Sequence, residues 1–160
     1  MFKRRNKYGN KKVIFDGIEF DSTLEGERYL FLRKLEKEGK IEDLERQVHF
    51  EVVPAQQVLI QRTGKNGKPL KPKLKTIELN VEYIADFRYY QYAGEHPLGK
   101  LYREVIEDTK GVKTPEYIIK RKLMRLQGLP ITEVSHATQP IQTEHQYTLI
   151  PYEDEEIQES

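Results

Sequence analysis

The sequence contains no cysteine, which excludes disulfide bonds and zinc or iron–sulfur sites held by cysteine. It also lacks an apolar run long enough to form the core of a signal peptide or to cross a bilayer. We therefore expect a cytoplasmic protein that functions in a reducing environment. The 160 residues are 37% hydrophobic and 33% charged, which is enough apolar material for one modest core in a single domain.

The net charge is only +1, but the charged residues are segregated along the chain. Residues 1–12 and 62–75 each hold six lysines or arginines and no acid, whereas residues 152–160 hold five acids and no base. Basic segments of this kind suit a polyanion, although solvated loops that only keep a protein soluble have the same composition. The candidate polyanion contacts are Lys3, Arg4, Arg5, Lys65, Lys68, Lys71, Lys73 and Lys75.

The beginning of the chain predicts a hairpin followed by a helix. Asp16-Gly17 is a dipeptide typical of the tight turn between two short strands, here within residues 12–20. Ser22 is a good helix N-cap and Glu25 stands at the matching position of a capping box. Gly39 would end that helix.

The middle of the chain predicts a strand and then a loop. Residues 48–60 are rich in β-branched and apolar side chains, although Pro54 must lie at an edge or a bulge. Residues 63–75 contain two glycines and two prolines, so we expect an irregular, extended basic loop there.

The second half predicts a pair of strands, a helix and a returning strand. Residues 77–90 and 101–109 would form a long hairpin. Thr114, followed by proline, would cap a helix that ends at Gly128. Residues 131–135 would then lie beside the sheet as the last part of a right-handed parallel unit.

These elements predict one α/β or α+β domain over residues 1–151, with a helix, a meander of strands, a second helix and a last strand. Residues 62–76 would be a basic loop insertion, and residues 147–150 an edge strand. The acidic residues 152–160 are expected to be a disordered tail.

The most informative short motif lies at the end of the strand predicted over 101–109. Asp108 and Lys110 are two residues apart and would project to the same side of that strand. A carboxylate that binds a hard cation would then lie beside an ammonium that orients a water. A surface ion pair across the strand is the alternative, and it is much the commoner use of this spacing.

A second acid, Asp86, stands inside an otherwise apolar and aromatic strand. A carboxylate buried there without a partner would be costly, so it should contact a cation, accept several hydrogen bonds or face water. Pairing of the two strands would bring Asp86 near Asp108. Two carboxylates held together repel each other and favour a divalent metal ion between them.

Two further residues have both a functional and a structural interpretation. Glu25 borders the apolar face of its helix and would already be explained by the capping box, while Glu27 borders the same face on its other side. Periodicity does not choose between these two acids. Lys120 is set among apolar neighbours on the second helix, where it would either contact a phosphate or extend its ammonium to solvent.

In this order and spacing, the motifs resemble the PD-(D/E)xK nuclease superfamily, and more closely the small phage-encoded proteins of the DUF1064 family. The resemblance covers residues 8–128. Its motifs are Phe20-Asp21-Ser22-Thr23-Leu24-Glu25, a turn at Gly39-Lys40-Ile41 with Leu44 and Gln47, Tyr83-Ile84-Ala85-Asp86-Phe87, Glu107-Asp108-Thr109-Lys110-Gly111, and a helix start with Thr114, Tyr117 and Lys120. Ala85 replaces the proline that the superfamily pattern has before the central acid.

The resemblance implies a restriction-endonuclease-like core, which is a mixed β-sheet flanked by helices, with a metal site where two strands diverge. Asp86 and Asp108 would bind Mg²⁺, or Mn²⁺ in its place, and the Thr109 carbonyl would complete the shell. Glu25 would reach the metal directly or through water. Lys110 would position the attacking water, and the fifth catalytic residue would be Lys120, at the scissile phosphate. Glu107 and Asp108 are adjacent, so only one of them can face the metal. Residues two apart on a strand share a face, and Asp108 shares its face with Lys110; this same-face rule favours Asp108.

The resemblance therefore implies a Mg²⁺-dependent DNA endonuclease of phage origin that acts in the host cytoplasm. The two basic segments would bind backbone phosphates without distinguishing bases. Cleavage of branched DNA by a homodimer, as in a Holliday-junction resolvase, fits this better than restriction. The alternatives are a non-catalytic nucleic-acid-binding protein of phage replication or packaging, and a regulator that acts on a host protein.

Overall fold

The computed structural model of the protein describes residues 12–141 and the backbone of residues 148–151. The candidate contacts Lys3, Arg4 and Arg5 and the acidic residues 152–160 lie outside this part of the chain. The elements are, in chain order, β1 (Val13–Phe15), β2 (Ile18–Phe20), α1 (Thr23–Lys37), β3 (Ile41–Val53), β4 (Gln56–Thr63), β5 (Pro69–Glu78), β6 (Val81–His96), β7 (Gly99–Thr109), α2 (Pro115–Leu126), β8 (Ile131–Val134) and β9 (Thr148–Pro151).

The predicted hairpin and first helix are both present. Asp16 and Gly17 have φ values of 52° and 76°, the left-handed conformation that a tight turn between β1 and β2 requires. The Ser22 side chain accepts a hydrogen bond from the amide of Glu25 at 3.1 Å, which caps α1. Gly26 permits close packing of the hairpin on α1, because a Cβ there would lie 2.1 Å from the Phe15 ring.

The main sheet is mixed and has the order β3-β6-β7-β8, with β9 also paired to β7. The β3–β6, β6–β7 and β7–β9 pairs are antiparallel, whereas β7 and β8 are parallel and are joined through α2. The prediction of a mixed α+β fold with a sheet flanked by two helices is confirmed. The predicted pairing of the two central strands and the parallel return of β8 are confirmed as well.

Two groups of buried side chains form the core of the described residues. One group lies where α1 and the β1–β2 hairpin pack on the sheet and contains Phe20, Tyr29, Leu32, Ile41, Phe87, Tyr89 and Val105. The other lies beneath α2 and contains Val52, Tyr83, Ala85, Ile106, Tyr117 and Met124. Since both groups include side chains of β6 and β7, these two central strands hold the helices in fixed positions relative to each other.

Two predictions about residues 39–76 are wrong. The sheet strand β3 begins at Ile41, in the segment expected to be a turn, and Asp43 and Gln47 interrupt its regularity with positive φ values. Residues 63–75 are not an irregular loop, because most of them belong to β5 and the turn of the β4–β5 hairpin. The prolines are tolerated there since both strands have a free edge, and Pro72 lies at a register shift of the hairpin.

Within the described residues, neither helix is long and apolar enough to cross a membrane.

Candidate functional site

The strands β6 and β7 separate at the position where the predicted acids lie. Their paired register ends at Phe87 and Glu107, and the next positions, Asp86 and Asp108, continue the two strands beyond it. Asp86 Oδ2 accepts hydrogen bonds from the Thr109 amide at 2.7 Å and from the Thr109 hydroxyl at 2.6 Å. The Asp86 side chain thus bridges the gap between the strands.

Asp108 is fully buried at this point of separation. Its Oδ2 atom accepts a hydrogen bond from the Tyr83 hydroxyl, and its Oδ1 atom has no hydrogen-bond partner. The Lys110 Nζ atom lies 3.1 Å from Oδ1, which is an ion-pair distance without the alignment of a hydrogen bond. The predicted same-side placement of Asp108 and Lys110 is therefore present, and the buried Oδ1 atom has an ammonium beside it but no hydrogen bond.

The electrostatic environment makes ionisation of Asp108 costly. Burial, followed by the negative charge of Asp86, raises the pKa of Asp108 to about 7, while Tyr83 and Lys110 act in the opposite direction. Burial and the nearby Asp108 charge also raise the pKa of the Tyr83 hydroxyl, so that it remains a hydrogen-bond donor. A cation bound between Asp86 and Asp108 would relieve this repulsion.

Glu25 approaches Asp86 from α1. It is 4% exposed, and its carboxylate accepts hydrogen bonds from the Asp21 amide at 3.2 Å and from Gln47 Nε2 at 3.0 Å. Burial, followed by the charge of Asp86, raises the pKa of Glu25. Glu27 is exposed, so the structure identifies Glu25 as the acid of α1 that approaches the site.

Gln47 connects two of these acids and was not identified as a site residue from the sequence. Its neighbours Arg46 and Val48 pair with Phe87 and Ala85, which places Gln47 opposite Asp86. Its Nε2 atom lies 3.5 Å from Asp86 Oδ1 and donates to Glu25 at 3.0 Å. The available signal was its place in the family motif, but its partners are far away in sequence.

Glu107 has a separate structural role. Arg28 donates to both of its carboxylate oxygens, at 2.8 and 2.6 Å, and the Tyr89 hydroxyl donates to it at 2.5 Å. Arg28 and Glu107 are both fully buried. Glu107 is thus saturated with partners, and Asp108 is the acid of this pair that faces Lys110, as the same-face rule predicted.

Lys120 lies on the wall of a cavity of about 330 Å³ that Lys110, Tyr83 and Tyr117 also line. Its Nζ atom is 2.8 Å from Glu116, whose side chain is 76% exposed. The two lysines predicted to act on a substrate therefore border one cavity next to Asp108. By contrast, Lys65, Lys68, Lys71, Lys73 and Lys75 are all on the exposed β4–β5 hairpin.

Whether a metal ion fits this site depends on which oxygen donors the side chains supply. Over residues 12–141, no group of three or more histidine or acidic side chains stands close enough together to hold a metal ion. The acids are instead linked in pairs, because Asp86 raises the pKa of both Glu25 and Asp108. The buried Oδ1 atom of Asp108, which has no hydrogen-bond partner, and its carboxylate neighbours are the hard donors that Mg²⁺ prefers.

The family model described as "Protein of unknown function (DUF1064)" matches residues 5–140. The chain belongs to the DUF1064 family. The match includes every element from β1 to β8 and all of the site residues described above. The comparisons with curated proteins and with solved structures gave no match. Membership of the DUF1064 family does not itself assign an activity, so the chemistry must be argued from the site.

Proposed function

We propose that this DUF1064 protein is a metal-dependent DNA endonuclease. The observation that supports the proposal is the buried Asp108, which has one oxygen without a hydrogen-bond partner beside Lys110, at the point where β6 and β7 separate around Asp86. An isolated structural ion pair would not need a second carboxylate next to it. This arrangement agrees with the PD-(D/E)xK resemblance.

In this proposal Asp86, Asp108 and the Thr109 carbonyl would hold Mg²⁺ or Mn²⁺, and Glu25 would reach the ion directly or through water. The ion would supply positive charge to the phosphate oxygens and lower the pKa of a bound water. Tyr83 positions Asp108, because its hydroxyl donates a hydrogen bond to one oxygen of that carboxylate. Gln47 likewise holds Glu25 near Asp86.

Lys110 and Lys120 act on the reactants. The Lys110 ammonium, 3.1 Å from Asp108, orients the attacking water. Lys120 borders the same cavity as Lys110. Its ammonium exchanges the exposed Glu116 carboxylate for the scissile phosphate when DNA enters that cavity. The water oxygen bonds to phosphorus as one phosphodiester P–O bond breaks. The leaving oxygen gains a proton, and the water loses one to solvent.

The proposal is tested by incubation with supercoiled, linear, single-stranded and four-way-junction DNA, with Mn²⁺ or with EDTA. We expect nicking only with the metal, and we expect Asp108→Asn to lose it. Preferential cutting of the junction would support a resolvase-like homodimer in the cytoplasm of an infected bacterium. No cleavage of any substrate by the wild-type protein with Mn²⁺ or Mg²⁺ would contradict the proposal.

A second candidate is a non-catalytic nucleic-acid-binding protein. It is favoured by the lack, among residues 12–141, of a group of three potential ligand side chains. Such a protein would hold DNA equally well with EDTA and with Mn²⁺, and it would cleave nothing.

A further inference from the structure

The β4–β5 hairpin is a two-stranded ribbon that stands apart from the main sheet. Every residue of Gln56–Thr63 and Pro69–Glu78 is exposed, and these two strands form a sheet of their own. Large apolar side chains such as Leu59 and Leu74 are 63% and 59% exposed. Such a ribbon contributes little to a core, which indicates a role in binding.

The ribbon extends from the same end of β6 that leads to the candidate site. The last pair of β3 and β6 is Val53–Val81, and the ribbon begins at the pair Gln56–Glu78. Asp86 is five residues along β6 from Val81, a distance of roughly 17 Å at the usual strand rise. A ligand that lies across the site and continues along β6 would therefore meet the ribbon.

The strand register divides the ribbon into two chemically different faces. Cross-strand partners share a face, so the pairs Val58–Lys75, Ile60–Lys73 and Arg62–Leu70 lie together. The register shift between Ile60 and Arg62 keeps Leu70 and Lys73 on the same side, although they are three residues apart. We call this side the cationic face; its members are Gln56, Val58, Ile60, Arg62, Leu70, Lys73, Lys75 and Glu78.

The opposite face carries less positive charge. It contains the pairs Leu59–Leu74 and Gln57–Thr76, and Lys71, next to Leu70 at the register shift, projects away from the cationic face. No aspartate or glutamate occurs from residue 52 to residue 77, a segment that includes six lysines or arginines. Glu78, which pairs with Gln56 at the base of the ribbon, is the acid on this face. The positive charge is still concentrated on one side, where Arg62, Lys73 and Lys75 outnumber that single acid.

We propose that β4–β5 is an arm that binds duplex DNA, with its cationic face in the major groove. The proposal rests on the nuclease function proposed above. It states that the DNA substrate is double-stranded where it contacts the ribbon, roughly 17 Å or more from Asp86. A B-form major groove, roughly 12 Å wide, admits a two-stranded ribbon. Arg62, Lys73 and Lys75 reach the phosphates, and the apolar side chains between them contact base and sugar edges.

The same geometry excludes other nucleic acids as equal ligands. The major groove of A-form RNA is too deep and narrow for a ribbon, and a single strand has no groove. Lys65 and Lys68 lie in the turn at the tip of the ribbon, where they extend the contact to phosphates farther along the duplex. The ribbon therefore distinguishes the form of the nucleic acid and not only its charge.

The test compares two triple variants that remove the same charge. The ribbon variant is Arg62→Gln/Lys73→Gln/Lys75→Gln, and the control is Lys34→Gln/Lys37→Gln/Lys122→Gln on the exposed sides of α1 and α2. Fluorescence anisotropy in EDTA measures binding to a DNA duplex, its single strand and an RNA duplex over a salt series. Circular dichroism checks that each variant is folded.

We expect the ribbon variant to lose duplex affinity by roughly 10-fold or more at 0.1 M salt, with a decrease of about 2.7 in the salt slope, the value for three lost phosphate contacts. Binding to single-stranded DNA and to the RNA duplex should change by less than threefold, as should all binding by the control variant. The charge-conserving variant Lys73→Arg/Lys75→Arg should bind as the wild type does.

Unchanged duplex affinity in the ribbon variant, or equal losses in ribbon and control variants, would overturn this assignment. So would equal losses on duplex and single strand. Because binding is measured without metal, the result is separate from cleavage. If the wild type cleaves DNA and the ribbon variant binds duplex as the wild type does, the arm is refuted and the nuclease function stands. If duplex binding depends on the ribbon but no cleavage occurs, the arm is supported and the nuclease function is refuted.

Discussion

Asp86 accepts hydrogen bonds from both the amide and the hydroxyl of Thr109 across the gap between β6 and β7. One oxygen of Asp86 is thereby fixed on the residue that follows Asp108. The two acids are held in neighbouring positions by the backbone, without direct strand pairing between them. The catalytic proposal depends on this local opening of the sheet.

Lys110→Met should abolish cleavage while the protein stays folded and its DNA affinity stays within a few-fold of the wild type. The methionine keeps the apolar part of the side chain and removes only the ammonium that lies 3.1 Å from Asp108. Lys100→Met, at an exposed position near the start of β7, the strand that Lys110 directly follows, is the matched control. Single-turnover nicking assays measure both variants, and full activity in Lys110→Met would remove its role.

Glu25→Gln and Glu27→Gln are a matched pair on one helix. Glu25 is buried beside Gln47 and Asp86, whereas Glu27 is exposed. We expect Glu25→Gln to reduce the cleavage rate by about 10-fold or more, as general acid–base and metal-binding groups do, and Glu27→Gln to change it by less than twofold. The reverse pattern in the same assay would show that Glu27 is the acid that the reaction uses.

Arg28→Met should destabilise the fold without acting on the chemistry. It leaves Glu107 as a buried carboxylate without its ion-pair partner, which costs about 3–5 kcal/mol of unfolding free energy. Chemical denaturation measures the loss. The double variant Arg28→Met/Glu107→Leu should recover most of it, because no buried charge remains. A single variant as stable as the wild type would contradict the role assigned to this pair.

The contribution of Asp108 to the stability of the metal-free protein should fall as the pH rises from about 4 to about 7. In this window the folded protein keeps a proton on Asp108, whose pKa is about 7, while the unfolded chain with a pKa near 3.8 has lost it. Asp108→Asn removes this dependence, so its Tm relative to the wild type should increase between pH 5 and pH 8. Thermal unfolding in EDTA measures the difference, and a difference independent of pH would argue against the buried carboxylate.

The sequence alone was sufficient for the elements whose signals are local. The Asp16-Gly17 turn and the caps Ser22 and Thr114 each depend on residues within three or four positions, and each is present in the structure. Asp108 and Lys110 are also close in sequence, so their shared side followed from strand alternation.

Relationships over longer distances were not predictable in this way. Tyr83 contacts Asp108 over 25 residues, and Gln47 contacts Glu25 over 22, so neither was identified as part of the site. Residues 63–75 of the ribbon were mistaken for a loop because their glycines and prolines were taken to exclude a strand. An exposed two-stranded ribbon has free edges and a register shift that accommodate them.

Binding of Mn²⁺, followed by electron paramagnetic resonance at pH 8, tests most directly whether Asp86 and Asp108 form a metal site. The account predicts saturable binding to the wild-type protein that is lost or weakened by at least 10-fold, as for removal of a ligand or its support, in Asp86→Asn and in Asp108→Asn. Glu27→Gln should bind Mn²⁺ as the wild type does. Absence of binding to the wild type, or equal binding by all four proteins, would contradict the account.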